Sequence, residues 1–311
     1  MSELLQIETM PRREGGAGDQ ATGPVVRRLP EWLTIKLPKR KPIEDVEELM
    51  RSKRLVTVCE EARCPNLWEC WSKKTATFMI MGDTCTRSCG FCAVKTGRGG
   101  PLDLLEPQCV AEAAKALGLR HVVVTSVNRD ELKDGGAPHF AKTITAIKGE
   151  MPTAIVEVLT PDFLGKTDLI QIVVDAKPHI YNHNIETVPR LYKIVRPQAK
   201  YQRSLDLLKY VKQSDPTIYT KSGFMVGFGE TEAEVTALLH DLKAHNVDCV
   251  TIGQYLKPGK QYLDVVEYVH PDIFARYKSI GESLGFEFVA SAPFVRSSYN
   301  AIEFSQKVNL V

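Results

Sequence analysis

Residues 85–92 read Cys-Thr-Arg-Ser-Cys-Gly-Phe-Cys. So short a loop can turn all three thiols, Cys85, Cys89 and Cys92, onto one small inorganic object. It has no fourth thiolate of its own, because the next cysteine, Cys109, lies beyond a Gly/Pro-rich stretch. Four thiolates close a tetrahedral zinc or saturate a four-iron cluster. Three leave one iron open, where a small molecule can bind and react. Gly90 lets backbone approach such a cluster, and Phe91 can shield it from water. The plain alternative for this spacing is a structural zinc knuckle.

A second set precedes the first. Cys59, Cys64 and Cys70 lie at C-x4-C-x5-C spacing in Val-Cys-Glu-Glu-Ala-Arg-Cys-Pro-Asn-Leu-Trp-Glu-Cys-Trp. A zinc site completed by a distant ligand would use the same residues. Its place just ahead of the first loop favours a second iron–sulfur cluster, with Trp68 and Trp71 either covering it or serving as core. Six of the eight cysteines fall between positions 59 and 92. The first thirty residues hold no apolar stretch of the signal-peptide kind, and Glu3, Glu8, Glu14 and Asp19 among the arginines argue against a transit peptide. In a reducing cytoplasm, the expected compartment, clustered thiols bind metal rather than form disulfides.

The elements that must position these loops follow from pattern. Composition, 43% hydrophobic and 25% charged, is that of an ordinary globular protein. A net charge of +2 gives no footprint for nucleic acid, and no apolar run approaches membrane-spanning length. Residues 1–29, rich in glycine, read as a mobile arm. Residues 30–75 form an N-terminal extension around the second cysteine set, with a short helix expected over Ile43–Arg54. From residue 76, apolar strands alternate with amphipathic helices. The strands are Ala76–Met81, His121–Ser126, Ala154–Leu159, His179–Asn182, Tyr219–Val226 and Cys249–Gln254, with helices near 109–118, 138–149, 164–175, 202–213 and 231–245. Continuously apolar strands joined by helices imply a parallel sheet. Six units are too few to close an eight-stranded barrel. The expected fold is therefore α/β: a partial (β/α)6 TIM-type barrel over 76–280, with the cluster-binding extension before it and a C-terminal segment, 281–311, after it.

In such folds chemistry gathers after the strands' C-terminal ends, and the first cysteine loop follows Ala76–Met81 directly. Other post-strand loops carry Asn128, Arg129, Asp130 and Asp134, with Gly135 and Gly136 open to close approach by a ligand. Asp162 suits a helix cap. Asn182, Asn184 and Glu186 alternate to one side if extended and suit ribose hydroxyls. His183 reads as a satisfied structural histidine, and Cys109 and Cys249 as packed thiols. Gly227-Phe-Gly229 and Gly165-Lys-Thr167 are incomplete nucleotide motifs, since each lacks a required glycine.

The loop at 85–92, with its aromatic before the last cysteine, resembles that of radical S-adenosylmethionine (SAM) enzymes. In that superfamily the open iron chelates the amino and carboxylate groups of SAM, and an electron from the cluster cleaves it to a 5'-deoxyadenosyl radical. Both cysteine sets together with Arg296-Ser297-Ser298-Tyr299 resemble the lipoyl synthase family. So do Asp134-Gly-Gly-Ala, Glu157-Val-Leu-Thr-Pro-Asp, Asn182-His-Asn-Ile-Glu-Thr, Lys221-Ser-Gly and Thr251-Ile-Gly-Gln-Tyr-Leu, across roughly residues 45–300.

The resemblance implies insertion of two sulfurs, at C6 and C8 of an octanoyl-lysine. Its cofactors would be SAM and two [4Fe-4S] clusters. Cys85, Cys89 and Cys92 would hold the SAM-cleaving cluster. Cys59, Cys64 and Cys70 would hold an auxiliary, sulfur-supplying cluster, with Ser297 or Ser298 on its fourth iron. Asn128, Arg129, Asp134, Gly135, Gly136, Asn184 and Glu186 are the expected SAM contacts. The implied partners are octanoylated carrier domains of 2-oxoacid dehydrogenases or the glycine cleavage H protein, and an electron donor such as ferredoxin or flavodoxin. The chain is expected to act as a monomer. Unactivated C–H bonds have no acidic proton, which is why such a reaction needs a radical. A tRNA methylthiotransferase also uses two cysteine triads but brings an RNA-binding module. A non-enzymatic zinc scaffold is the alternative from another class.

Overall fold

β-Branched and aromatic runs such as His-Val-Val-Val-Thr-Ser favour extended backbone, and the amphipathic stretches between them form helices that cover one another and the sheet. The computed structural model describes residues 29–34, 41–299, 301–308 and 310. The arm expected over 1–29 lies, except for its last residue, outside the described residues.

The strands in chain order are β1 (Val56–Thr57), β2 (Thr77–Ile80), β3 (Thr84–Cys85), β4 (Lys95–Thr96), β5 (His121–Ser126), β6 (Ile155–Leu159), β7 (Ile180–Asn182), β8 (Tyr219–Val226), β9 (Cys249–Gln254) and β10 (Phe288–Ser291). Eight form one sheet, in the order β1-β2-β5-β6-β7-β8-β9-β10. Only the β1–β2 pairing is antiparallel. Among the described residues β1 and β10 do not pair, so the barrel is open. β3 and β4 make a separate parallel pair that frames the 85–92 loop.

All six expected strands are present, and the sheet adds a seventh parallel strand, β10, drawn from the C-terminal segment. Its four residues follow a left-handed turn at Gly285. That is too short a run to stand out as a strand without its partner β9. The helix before it, Pro271–Ser283, was likewise not expected. The other long helices lie at Lys41–Ser52, Glu106–Ala116, Ala137–Glu150, Thr167–Asp175, Tyr201–Ser214 and Glu232–Ala244. The last shows local cause: the Thr231 hydroxyl accepts from Glu234 N (3.2 Å) and the Glu234 carboxylate accepts from Thr231 N (2.8 Å). Such a cap contributes about 1 kcal/mol. Val235, Leu238, Leu239 and Leu242 then bury one stripe of that helix.

The C-terminal helix, Ala301–Lys307, stops the end of the barrel away from the cysteine loop. Phe304 packs against Ile155, Ile180 and Cys249, which stand at the starts of β6, β7 and β9. Its ring meets Tyr219 edge-on at 5.4 Å. Above this plug lies a buried polar network. Glu157 accepts from Lys221 Nζ (2.9 Å) and Asn182 Nδ2 (3.0 Å) and pairs with His121 Nε2 (3.1 Å). His121 Nδ1 meets the Ser305 hydroxyl of the plug at 2.7 Å. Burial alone would raise the Glu157 carboxyl, but the Lys221 ammonium and His121 hold it at about 2. Cys249 is buried and its thiol pushed up to about 12, in keeping with a packed, unreactive residue.

Candidate cluster and cofactor site

The 85–92 loop is held from several sides. Gly90 N donates to Val195 O (2.9 Å), and Leu263 N donates to Gly90 O (3.0 Å). A Cβ at position 90 would stand 2.7 Å from Leu263 Cδ1, so any side chain there would force Leu263 to shift. Arg87 points into the protein. Its Nε and Nη2 donate to Asp130 (2.7 and 2.9 Å), and Nη2 also reaches Asp162 Oδ1 (2.6 Å). Burial disfavours the guanidinium, yet the two carboxylates outweigh it and raise its pKa. Asp162, fully buried, also accepts from Arg203 (3.0 Å) and caps the following turn through Leu164 N. Burial pushes the Cys89 thiol up and drives Cys92 to about 12. Metal loading must therefore expel protons as thiolates form.

Of the expected SAM contacts, the structure gathers three at this loop. Cys85 Sγ accepts from Asn128 N (3.3 Å) and lies 3.7 Å from Asn128 Nδ2. Asn184 Nδ2 donates to Glu186 (3.1 Å), and the Glu186 carboxyl, raised by burial, lies close enough to act on Cys89. Glu186 holds φ at 67°, a left-handed backbone uncommon for a side-chain-bearing residue. Arg129 is used otherwise. Its guanidinium donates to Met81 O (2.9 Å), Gly100 O (2.6 Å) and Glu131 (2.5 Å), so it serves as a strut. Asp134 accepts from Gly136 N (3.0 Å) within a turn, and a Cβ on Gly136 would fall 2.1 Å from Met81 Sδ. Those glycines thus serve backbone and packing, whatever else approaches them. His183 spends both ring nitrogens, on Thr160 O (2.8 Å) and the Ser204 hydroxyl (3.0 Å), and burial lowers its pKa to about 4.

Arg196 was missed in the sequence. It follows a short helix after β7 rather than the strand itself, and only its arginine type in a post-strand segment hinted at a role. Its Nη1 donates to Asn184 O (2.7 Å), and its charge acts on Cys89 and Glu186. Its Nε is buried without a partner, as is Asn128 Oδ1. Unpaired buried polar atoms beside three thiols fit a polar ligand at this place.

The second thiol set lies on two short helices, Val58–Glu61 and Leu67–Ser72, and the loop between them. Burial pushes Cys59 up to about 11 and Cys70 to about 12, and raises Cys64. Trp71 is core and Trp68 exposed. The C-terminal segment reaches across: Asn66 Nδ2 donates to Phe294 O (2.7 Å), and Tyr299 OH meets the Glu69 carboxylate at 3.1 Å. The Arg296 charge acts on both Cys64 and Glu186. Ser297 accepts from Asn182 Nδ2 (2.7 Å) and donates to Asn184 Oδ1 (2.9 Å). Ser298 accepts from Thr77 Oγ1 (2.9 Å) and, with Cys70 and Tyr299, lines a cleft of about 300 Å³. Among the described residues no three His, Cys, Asp or Glu side chains are set as ligands of one metal ion. A four-iron cluster takes each thiolate on a different iron and so asks for wider spacing.

Residues 79–242 match the radical SAM superfamily, and residues 17–64 match the N-terminal domain of lipoyl synthase of that family. The lipoyl synthase of Rubrobacter xylanophilus is 59% identical over 274 residues, covering 88% of this chain and 85% of that one. That of Caldanaerobacter subterraneus is 57% identical over 274 residues, 88% of this chain and 96% of its own. Among solved structures, methylornithine synthase superposes with a TM-score of 0.53 at 13% identity over 82% of this chain and 79% of that one. The hydrogenase maturase HydG gives 0.54 at 10% identity over 81% and 68%. At such identities these two establish the fold alone, the open parallel barrel. Neither the zinc scaffold nor the tRNA methylthiotransferase survives a likeness to the two synthases that spans 88% of this chain. The chain belongs to the lipoyl synthase family of radical SAM enzymes.

Proposed function

We propose that Cys85, Cys89 and Cys92 hold the SAM-cleaving [4Fe-4S] cluster. In the same reading Cys59, Cys64 and Cys70 hold a second, auxiliary one, completed by Ser297 or Ser298. When bound, the first supplies the electron that turns SAM into a radical source, and the second supplies sulfur. The observation that carries the reading is the path of residues 293–299: Phe294 and Tyr299 bond Asn66 and Glu69, which lie between Cys64 and Cys70, while Ser297 bonds Asn184 beside the first loop. The substrate chain would then meet both chemistries in one chamber. Asn184 and Glu186 would hold ribose hydroxyls, and the unpartnered Nε of Arg196 would be available to a SAM carboxylate. The partly buried setting of the thiols and the plug at the barrel floor would limit the access of water-borne reactants that quench a carbon radical.

In this reading residues 30–75 carry the auxiliary site, 76–280 the radical barrel and 281–311 the closing segment. The substrate is an octanoyl-lysine on the carrier domains of 2-oxoacid dehydrogenases or the glycine cleavage H protein. A ferredoxin or flavodoxin is the electron donor, the compartment is the cytoplasm, and the enzyme acts as a monomer. No helix among the described residues is long and apolar enough to cross a membrane.

Anaerobic incubation with SAM, reductant and an octanoyl-lysine peptide, followed by mass spectrometry, tests the reading. The expected product gains two sulfurs, with two 5'-deoxyadenosines formed per product. Deoxyadenosine without sulfur gain would defeat the assignment of the second site.

A further inference from the structure

We propose that Asn128 sets the reduction potential of the cluster held by Cys85, Cys89 and Cys92, by hydrogen-bonding Cys85 through its backbone and side-chain nitrogens. The inference rests on the assignment of that loop given above.

Three N–H groups converge on Cys85 Sγ: Arg87 N at 3.4 Å, Asn128 N at 3.3 Å and Asn128 Nδ2 at 3.7 Å. Among the described residues Cys85 is the only one of the three loop cysteines with a side-chain amide donor. The donors are fixed in place before any metal arrives. Asn128 O accepts from both Thr86 N (3.0 Å) and Thr86 Oγ1 (3.1 Å). Two residues on, Asp130 holds the Arg87 guanidinium. The loop after β5 is thereby stitched to the cysteine loop at Thr86 and Arg87, on either side of the Arg87 amide that also faces Cys85. The amide cannot usefully turn over, since a flip would aim Oδ1, an acceptor, at a thiolate.

Reduction adds negative charge to a cluster and its thiolate sulfurs. Each N–H dipole pointed at a sulfur stabilises that charge more in the reduced state than in the oxidised one, and so raises the potential. A donor pair from one residue on one ligand is therefore a control on how readily the cluster accepts the electron that SAM cleavage consumes.

The test is potentiometric electron paramagnetic resonance, with dithionite as reductant and without SAM. The full chain carries Cys59→Ala, Cys64→Ala and Cys70→Ala, so that one cysteine loop gives the signal. In that background Asn128→Leu, which keeps volume but loses the side-chain donor, should lower the reduction constant about tenfold, or about 59 mV for a one-electron couple. Asn128→Asp keeps the shape but sets a carboxylate beside the thiolate and should shift the potential further in the same direction. SAM affinity is read in parallel by calorimetry. Unmoved potentials in both variants at normal iron content would overturn the proposal. So would weakened SAM binding with an unmoved potential, which would make Asn128 a SAM contact. Absence of any four-iron signal in the parent background would instead overturn the loop assignment itself.

Discussion

Around residues 85–92 the anchors belong to the barrel itself. Arg87 ties to Asp130 and Asp162, Gly90 is gripped between Val195 and Leu263, and Cys85 takes its hydrogen bonds from Asn128. Around residues 59–70 the long-range anchors come from far along the chain: Phe294 O for Asn66, and Tyr299 for Glu69. The first thiol set is thus tied directly to the loops that follow the barrel's strands. The second is two short helices and a loop that a returning segment completes. Such a region can open locally without unfolding the barrel. In the function proposed above, that difference would suit a first site that keeps its metal and a second that gives up part of its own.

The sharpest break is between the cysteines. Cys85→Ala should abolish deoxyadenosine formation, whereas Cys59→Ala should abolish sulfur gain while SAM cleavage falls far less. Parallel assay of both products checks this, and equal loss of both in the two variants would end the division of labour. Next comes the serine pair. If a serine ligates the second cluster, its hard oxygen is a poorer match to iron–sulfur chemistry than thiolate, so its iron should leave more readily. Changing Ser297 and Ser298 both to cysteine should then preserve deoxyadenosine formation and cut lipoyl yield at least tenfold; an unchanged yield would refute the idea.

Arg87→Met comes third. It removes a buried partner of Asp130 and Asp162, although Arg203 still pairs with Asp162, so the cost should lie near the low end of about 3–5 kcal/mol. Iron bound by the first loop should fall with it in the variant carrying only that loop's cysteines, and thermal unfolding read beside iron content separates the two effects. Smallest is Tyr299→Phe, which deletes a hydroxyl bonded to Glu69 and should cost about 1 kcal/mol. Its mark should be faster iron loss from the second site alone, visible in a chelator time course.

Much of this was legible in residue order. The long apolar strands and both cysteine loops were plain because period and spacing are local signals. β10 was not, since four residues become a strand only beside β9. Arg129 looked like a ligand residue because it is charged and follows a strand; only the coordinates reveal that it is spent on the Met81 and Gly100 carbonyls. Arg196 escaped for the converse reason, its importance lying in what surrounds it. Whether a polar side chain is already satisfied is a property of three dimensions, and no motif records it.

The contacts Asn66–Phe294, Thr77–Ser298 and Glu69–Tyr299 join residues 228, 221 and 230 positions apart. A chain leaves the ribosome from its N-terminus, so the strands framing the first loop can pair while the tail is still being made. The second thiol set emerges earlier still, yet these three braces cannot form until residue 299 has been added. Maturation therefore has a built-in order: the site translated first is the last to be finished.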